Sequence, residues 1–122
     1  MDRLITGAMR ALKDQQEVKL MRVPGSFEIP LASKRAALSK KYDAIVALGC
    51  VLRGETSHFE YISSAVSNGL QQVAVETGIP VGFGLLTVDT VQQAMERSGE
   101  AGNKGFEAAT AALEMIDVLR QI

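Results

Sequence analysis

The apolar run from Ala44 to Leu52 constrains the fold of this chain more than any other stretch. It is too short to span a membrane, and a continuous apolar run of this length is typical of a parallel strand buried on both faces. A polar turn follows directly and holds the only histidine of the chain, His58. An amphipathic helix is predicted after that turn. The sequence therefore predicts a buried strand whose carboxyl end carries titratable side chains.

This turn has the features of an anion site. Helix N-termini present free N–H groups and positive potential, so Arg53, Thr56 and the first amides of the helix are predicted to hold an anion. His58 then stands beside the anion as the side chain that titrates near neutral pH. The alternative is that His58 only caps the helix or lies at the surface, and residue type alone favours that alternative.

Composition indicates an ordinary globular domain. The 122 residues are 47% hydrophobic and 22% charged, and the formal net charge of -1 gives no general electrostatic reason to bind nucleic acid. The length suits one domain over residues 1–122. The single cysteine, Cys50, cannot form an internal disulfide, so a reducing, cytoplasmic compartment is expected. Because Cys50 lies in the apolar run, its thiol is expected to be buried and inert.

Hydrophobic periodicity predicts alternating helices and strands. Helices are predicted from about Asp2 to Asp14, from Pro30 to about Lys40, from the His58 turn to Gly78, from a cap at Asp89 or Thr90 to Arg97, and after the turn at 99–105. Strands are predicted at 18–23, 44–52 and 80–86. This alternation favours a parallel sheet with helices on both faces. Three strands are few, so either the sheet is small or an N-terminal strand is absent from this chain.

Polar and aromatic residues follow the ends of these strands, where ligands bind in open parallel sheets. Ser26, Phe27 and Glu28 follow the first strand, so they are expected at the same end of the sheet as His58. We call this carboxyl end of the sheet the rim. Phe27 is suited to cover an aromatic ring and Glu28 to accept hydrogen bonds from hydroxyls. Core packing for Phe27 and a helix-stabilising role for Glu28 remain open alternatives.

Cofactor and metal motifs are missing from the sequence. The Gly82–Gly84 stretch lacks the third glycine of a dinucleotide site, and the Gly102–Gly105 stretch is not a P-loop. One His and one Cys without a carboxylate cluster argue against zinc. A Ser-His-Asp hydrolase would need a nucleophile elbow, which the sequence does not contain. The residues therefore predict acid–base chemistry around an anion, with no cofactor and no metal.

Four stretches, taken together and in order, resemble the lumazine synthase family of riboflavin biosynthesis. They are Val23–Pro30, Ala47–Tyr61, Phe83–Thr87 and Gly102–Gly105. The resemblance runs from about Asp2 to the C-terminus. It implies a flavodoxin-like, three-layer α/β/α fold with a parallel sheet. It also implies condensation of 5-amino-6-(D-ribitylamino)uracil with 3,4-dihydroxy-2-butanone 4-phosphate, with release of phosphate and water.

The resemblance further implies a role for each matching position. His58 matches the proton-transfer residue, and Glu55, Thr56 and Arg97 match phosphate-binding positions. The positions that match substrate-binding residues are Ser26, Phe27, Glu28, Cys50, Val51, Leu52, Phe83 and Lys104. The family brings the equivalents of Phe83, Arg97 and Lys104 from a neighbouring subunit. A homo-oligomer is therefore expected, as a pentamer or a shell of pentamers, with active sites at subunit interfaces and neither nucleic acid nor membrane as partner.

The chain departs from the family pattern at two places. Glu55 and Ser57 stand where many members carry a small residue and Pro, so the Glu55 carboxylate has to turn away from a bound phosphate. The family's first strand, central in its sheet, has no counterpart before Asp2, and neither has the stacking aromatic that follows that strand. A truncated chain, a rearranged sheet and a strand supplied by a neighbour are the three explanations, with truncation favoured.

Two other classes of function compete with the enzyme. A catalytically weak assembly or ligand-binding protein would keep the fold without the first strand. A flavodoxin-like signalling module would need an acidic phosphoacceptor cluster at the strand ends, which the sequence lacks.

Overall fold

The computed structural model describes residues 1–54 and 58–122. Its helices are α1 (Asp2–Ala11), α2 (Ile29–Leu38), α3 (His58–Thr77), α4 (Val91–Glu96) and α5 (Lys104–Gln121), and its strands are β1 (Ile45–Leu52) and β2 (Val81–Val88). A short 3₁₀ helix, Ser26–Glu28, precedes α2. The predicted α/β class is confirmed.

The sheet of the described residues consists of β1 and β2, which run parallel and are joined through α3. Ile45 pairs with Val81, and the register continues to Leu52 and Val88. The helices form two pairs that each contact the sheet, α1 with α5 and α2 with α3. Because the pairs cover opposite faces, the chain has three layers, as expected for parallel strands.

Two hydrophobic clusters fill the spaces between the layers. Ile29, Val66 and Leu85 belong to the cluster under α2 and α3, while Leu4 and Leu86 belong to the cluster under α1. Leu85 and Leu86 are neighbours in β2, and successive strand residues point to opposite faces. Leu85 and Leu86 are therefore buried on opposite sides of β2, which divides the two clusters.

The helix boundaries follow the local sequence signals closely. Gly78 has a φ of +74° directly after α3, which is the left-handed conformation that ends helices and favours glycine. Of the two predicted caps for α4, Thr90 makes the bond, because its side chain accepts a hydrogen bond from the Gln93 amide at 3.1 Å. α1 ends at Ala11, earlier than predicted. None of the helices in the described ranges is both long and apolar enough to cross a membrane.

The prediction of a strand at 18–23 is wrong. These residues are neither helix nor strand, and Leu20 and Met21 expose about half of their surface, 52% and 53%. A β-rich sequence becomes a strand only where a neighbouring strand accepts its hydrogen bonds, and no described strand lies beside this one. The sheet of the described residues therefore has two strands instead of the predicted three.

The prediction that β1 is buried on both faces is also wrong. Only Ala47 and Gly49 are fully buried in β1, and Cys50, expected to be a buried thiol, is exposed. The physical reason is an open cavity beside the strand, which includes Cys50 in its wall.

An exposed ion pair links the second pair of helices. Glu76 of α3 accepts hydrogen bonds from Gln72 at 2.8 Å and from Lys34 of α2 at 3.2 Å. These bonds, the Gln72 bond foremost, lower the pKa of Glu76 from its ordinary value of 4.5. Because the folded pKa lies below the unfolded one, the stabilisation is present above the unfolded pKa and is lost as pH falls through the folded pKa.

We expect Lys34→Gln to raise the pKa of Glu76 part of the way back, since the Gln72 bond remains. The NMR titration of the Glu76 side chain measures this pKa, and Lys13→Gln is the control because Lys13 is exposed outside the helix pair. An unchanged pKa in Lys34→Gln would show that the ion pair does not persist in solution.

Candidate functional site

Arg53 ties together three elements at the carboxyl end of the sheet. Its amide donates to the Val88 carbonyl at 2.8 Å, which extends the strand pairing one residue beyond β1. Its side chain donates to Asp89 at 2.8 Å and pairs with Glu60 of α3 at 3.7 Å. The ends of β1 and β2 and the first turn of α3 are therefore held by one guanidinium.

The same guanidinium stacks on the first turn of α3. Its central carbon lies 4.7 Å from the centre of the Phe59 ring, a cation–π contact. The sequence predicts that Arg53 binds an anion, but in the described structure its charge faces the carboxylates of Glu60 and Asp89. Arg53 thus shapes the rim. The sequence contains a signal for this role, because Arg53 directly follows β1 and the oppositely charged Asp89 directly follows β2.

His58 is the first residue of α3 and is exposed. α3 is a helix of 20 residues, so the imidazole lies at the helix end that carries positive potential. The preceding positions that the resemblance assigns to phosphate, Glu55 and Thr56, lie outside the described residues. His58 therefore lies on the rim, directly after residues 55–57 in the sequence.

The 3₁₀ helix Ser26–Glu28 contacts both β1 and α3, which brings the first predicted group of residues to the rim. A Cβ added at Gly49 would lie 3.1 Å from the Ser26 Oγ and 2.8 Å from a Leu85 methyl, so glycine lets this segment approach β1 closely. Phe27 is 60% exposed, which rules out the core-packing alternative. Glu28 is also exposed, and its side chain makes no cap bond to α2.

The last three residues of β1 present different surfaces. Val51 packs against the cluster under α2 and α3, whereas Cys50 is exposed and Leu52 is 47% exposed. This follows from the alternation of side chains along a strand. Cys50 and Leu52 share one face at the rim, and Val51 lies on the face of Gly49 and Ser26.

Arg97 and Lys104 form a second group. The Lys104 amide donates to the Arg97 carbonyl at 2.8 Å, which closes the loop between α4 and α5. The buried side chain of Asn103, which is 5% exposed, stabilises this loop. Its nitrogen donates to the Ser98 carbonyl at 3.0 Å and to the Arg3 carbonyl at 3.1 Å. Its oxygen accepts from the Phe106 amide at 3.0 Å.

Asn103 is not among the residues that the sequence predicts to have a role. Its only sequence signal was a helix-capping residue type after a glycine, since the partner Arg3 is far away in sequence.

Phe83 lies apart from the rim. It pairs with Ala47 in the middle of the strands and is 39% exposed beside α3. Val88 lies five positions further along β2, which corresponds to about 17 Å along a strand. Within one chain, Phe83 is therefore not at the end of the sheet where His58 lies.

Arg53→Ala is expected to loosen the start of α3 without unfolding the protein. The Arg53 contacts are half exposed, so the free energy of unfolding should fall by no more than about 1 kcal/mol. Hydrogen exchange of the amides at 62–64, which bond back to the first turn of α3, should become several times faster. Arg10→Ala is the matched control, because Arg10 stacks on Phe106 at 4.8 Å on a different helix. Equal exchange in the two variants would contradict the bridging role.

Comparison with known proteins identifies the family. The family model for 6,7-dimethyl-8-ribityllumazine synthase matches residues 1–120. The chain belongs to this family. The resemblance inferred from the sequence is confirmed.

A curated relative agrees with the lumazine synthase assignment. The 6,7-dimethyl-8-ribityllumazine synthase of Syntrophus aciditrophicus (strain SB) is 49% identical over 125 residues, which cover 98% of this chain and 81% of that protein. The family match includes the rim around His58 and the Arg97–Lys104 loop, so both groups of residues lie within the lumazine synthase region.

Proposed function

We propose that this chain catalyses the condensation of 5-amino-6-(D-ribitylamino)uracil with 3,4-dihydroxy-2-butanone 4-phosphate to 6,7-dimethyl-8-ribityllumazine, in riboflavin biosynthesis. The observation that carries the proposal is the family match over residues 1–120, together with the curated synthase at 49% identity. One phosphate and two waters leave in the overall reaction. The chemistry needs proton transfers and no cofactor.

The proposed reaction has three steps. The amine of the uracil attacks the ketone, a C–N bond forms, and water leaves to give an imine. Phosphate then leaves with the electron pair of its C–O bond as a proton is removed from the neighbouring carbon. The resulting enol takes up a proton at carbon and becomes a ketone. The ribityl-bearing nitrogen finally attacks this ketone and the second water leaves. Each step moves a proton near nitrogen or oxygen.

His58 is proposed as the group that moves these protons. Imidazole has an ordinary pKa close to neutrality, so it accepts and donates protons near pH 7. General acid–base help of this kind contributes about 10²–10⁴-fold. The position of His58 on the rim, as the first residue of α3, supports this role.

The residues around the rim are proposed to bind the uracil substrate. Phe27 has an exposed ring for aromatic contact, and Glu28 has an exposed carboxylate to accept hydrogen bonds from the ribityl hydroxyls. Ser26 and the strand residues Cys50, Val51 and Leu52 are proposed to line the same substrate, in part through their backbone.

The phosphate is proposed to bind between two subunits. Glu55 and Thr56 supply one side, and Arg97 supplies the other, where a planar guanidinium suits an oxyanion better than an ammonium does. Phe83 and Lys104 are proposed to act with Arg97 from the neighbouring subunit. The position of Phe83 well behind the rim supports this arrangement. We infer a pentamer or a shell of pentamers, working in the cytoplasm.

The function is tested by assaying the purified chain with both substrates. Lumazine absorbance and released phosphate are followed in one reaction, and equal amounts of the two are expected. Omitting either substrate should abolish both signals. A folded, assembled protein that gives no lumazine would overturn the proposal and favour the alternative of an assembly or ligand-binding protein.

A further inference from the structure

Arg3 of α1 binds the backbone on both sides of Arg97. Its Nε donates to the Ser98 carbonyl at 3.2 Å, and one terminal nitrogen donates to the Met95 carbonyl at 3.3 Å. The other terminal nitrogen donates to the Met95 sulfur at 3.4 Å. In the sequence, Met95 lies two positions before Arg97, and Ser98 lies directly after it. One guanidinium therefore binds two carbonyls that flank the residue proposed to bind phosphate.

The backbone of Arg97 is itself fixed between these two carbonyls. Arg97 is the C-cap of α4, where its amide donates to the Gln93 carbonyl at 3.2 Å. Its carbonyl accepts from the Lys104 amide at 2.8 Å, and the residue is exposed. Backbone contacts therefore decide in which direction the Arg97 side chain leaves the loop.

The helix that ends at Arg97 depends on contacts from outside itself. α4 has six residues, and helices this short are not stable alone in water. The last carbonyls of a helix have no partner within it, and a cation at that end is favourable. A planar guanidinium binds two carbonyls at once in a fixed geometry. Arg3 therefore supplies the partner that keeps the end of α4 ordered.

α1 gives Arg3 a fixed base for these contacts. Leu4, the next residue, is 1% exposed, and its carbonyl lies so close to Gly105 that a Cβ added there would collide with it. The carbonyl of Arg3 accepts a hydrogen bond from the buried Asn103 side chain at 3.1 Å. The backbone of Arg3 is therefore fixed in the interior, while its side chain reaches the loop at the surface.

We infer that Arg3 is a positioning residue for the phosphate-bearing substrate. By binding the carbonyls on both sides of Arg97, it aims the Arg97 guanidinium at the phosphate bound in the neighbouring subunit. The inference rests on the proposed function, since that function gives Arg97 its phosphate. The alternative is that Arg3 only stabilises the end of α4, and the two roles predict different effects on the two substrates.

Arg3→Gln, in the assembled full chain, is expected to raise KM for 3,4-dihydroxy-2-butanone 4-phosphate about tenfold, because a misplaced binding group is costly. KM for the uracil substrate should not change. Arg3→Lys keeps the charge without the planar fork, so its effect should be smaller, and it provides the same comparison if Arg3→Gln does not assemble. Arg120→Gln is the matched control and should behave like the unmutated chain, because Arg120 pairs with Asp117 at 3.7 Å on the surface of α5.

A double variant tests whether Arg3 acts through Arg97. Arg97→Ala alone should raise the same KM more than Arg3→Gln does, because it removes the charged partner of the phosphate. Adding Arg3→Gln to Arg97→Ala should then change this KM by less than about twofold, since no guanidinium is left to position. A role in general stability would instead add its full effect in both backgrounds.

Binding of inorganic phosphate separates this inference from the proposed function, because it needs no turnover. Titration calorimetry of the assembled chain should show phosphate binding that weakens about tenfold in Arg3→Gln and is unchanged in Arg120→Gln. If binding follows this pattern but no lumazine forms, the proposed function is wrong and the role of Arg3 stands.

The role of Arg3 is overturned if Arg3→Gln binds phosphate as tightly as the unmutated chain, or if the unmutated assembly binds no phosphate. It is also overturned if KM rises equally for both substrates, or if the full effect of Arg3→Gln persists in the Arg97→Ala background. With normal turnover in the unmutated chain, each of these results leaves the proposed function intact.

Discussion

Replacing His58 by alanine is expected to lower kcat about 10²–10⁴-fold and to leave KM for both substrates nearly unchanged. The imidazole moves protons in the proposed steps, while Phe27, Glu28 and the phosphate site hold the substrates. Measurable turnover should remain, because positioning two substrates contributes independently of acid–base help. Steady-state kinetics with both substrates measures the effect.

His58→Asn is the control for packing at the start of α3, since it keeps a polar side chain without a titratable group near neutral pH. It should lose about as much kcat as alanine. A complete loss of turnover in an intact assembly would show that His58 does more than transfer protons. An unchanged kcat would remove it from the mechanism.

Asn103→Ala is expected to reduce the free energy of unfolding by about 2–4 kcal/mol. The buried amide makes three hydrogen bonds that connect the loop at 98–103, α1 and the start of α5. Alanine leaves the Arg3 and Ser98 carbonyls and the Phe106 amide without this partner, and unsatisfied buried groups carry most of the penalty. Urea unfolding followed by circular dichroism measures the change.

Thr90→Ala is the matched control for Asn103, because Thr90 caps α4 through a single bond at an exposed position. Losing an N-cap of this kind costs about 1 kcal/mol. If the two variants lose equal stability, Asn103 acts only as a cap and the interior bonds to Arg3 and Ser98 contribute nothing.

Much of the fold follows from local signals in the sequence. Gly78 ends α3 because its left-handed conformation suits glycine, and Thr90 caps α4 because its hydroxyl reaches the Gln93 amide. The apolar runs that became β1 and β2 are equally local. These features depend on neighbours a few residues away, so periodicity and residue type predict them.

The errors arise where the outcome depends on distant parts of the chain. Residues 18–23 have strand-like composition, but a strand also requires a partner, and the described sheet offers none beside them. Cys50 is exposed for the same reason, since the space next to β1 is open. The bond between Asn103 and Arg3 spans almost the whole chain. No local pattern contains that information.

The candidate site was only partly predictable as well. Strand ends brought Phe27, Glu28 and His58 toward one rim, as expected for ligand sites in parallel sheets. The pairing of Arg53 with Asp89 and Glu60 was not foreseen, because it depends on the register between β1 and β2.

The most direct test of an active site shared between subunits is the activity of mixed assemblies of two impaired variants. His58→Ala removes a group on one side of the proposed shared site, and Arg97→Ala removes one on the other. If the site forms between neighbours, random mixing leaves about a quarter of the sites with both residues intact. We predict that co-refolded variants recover about that share of the unmutated turnover, and that each variant refolded alone does not. A mixture no more active than its parents, from a protein whose unmutated form turns over normally, would contradict the shared active site.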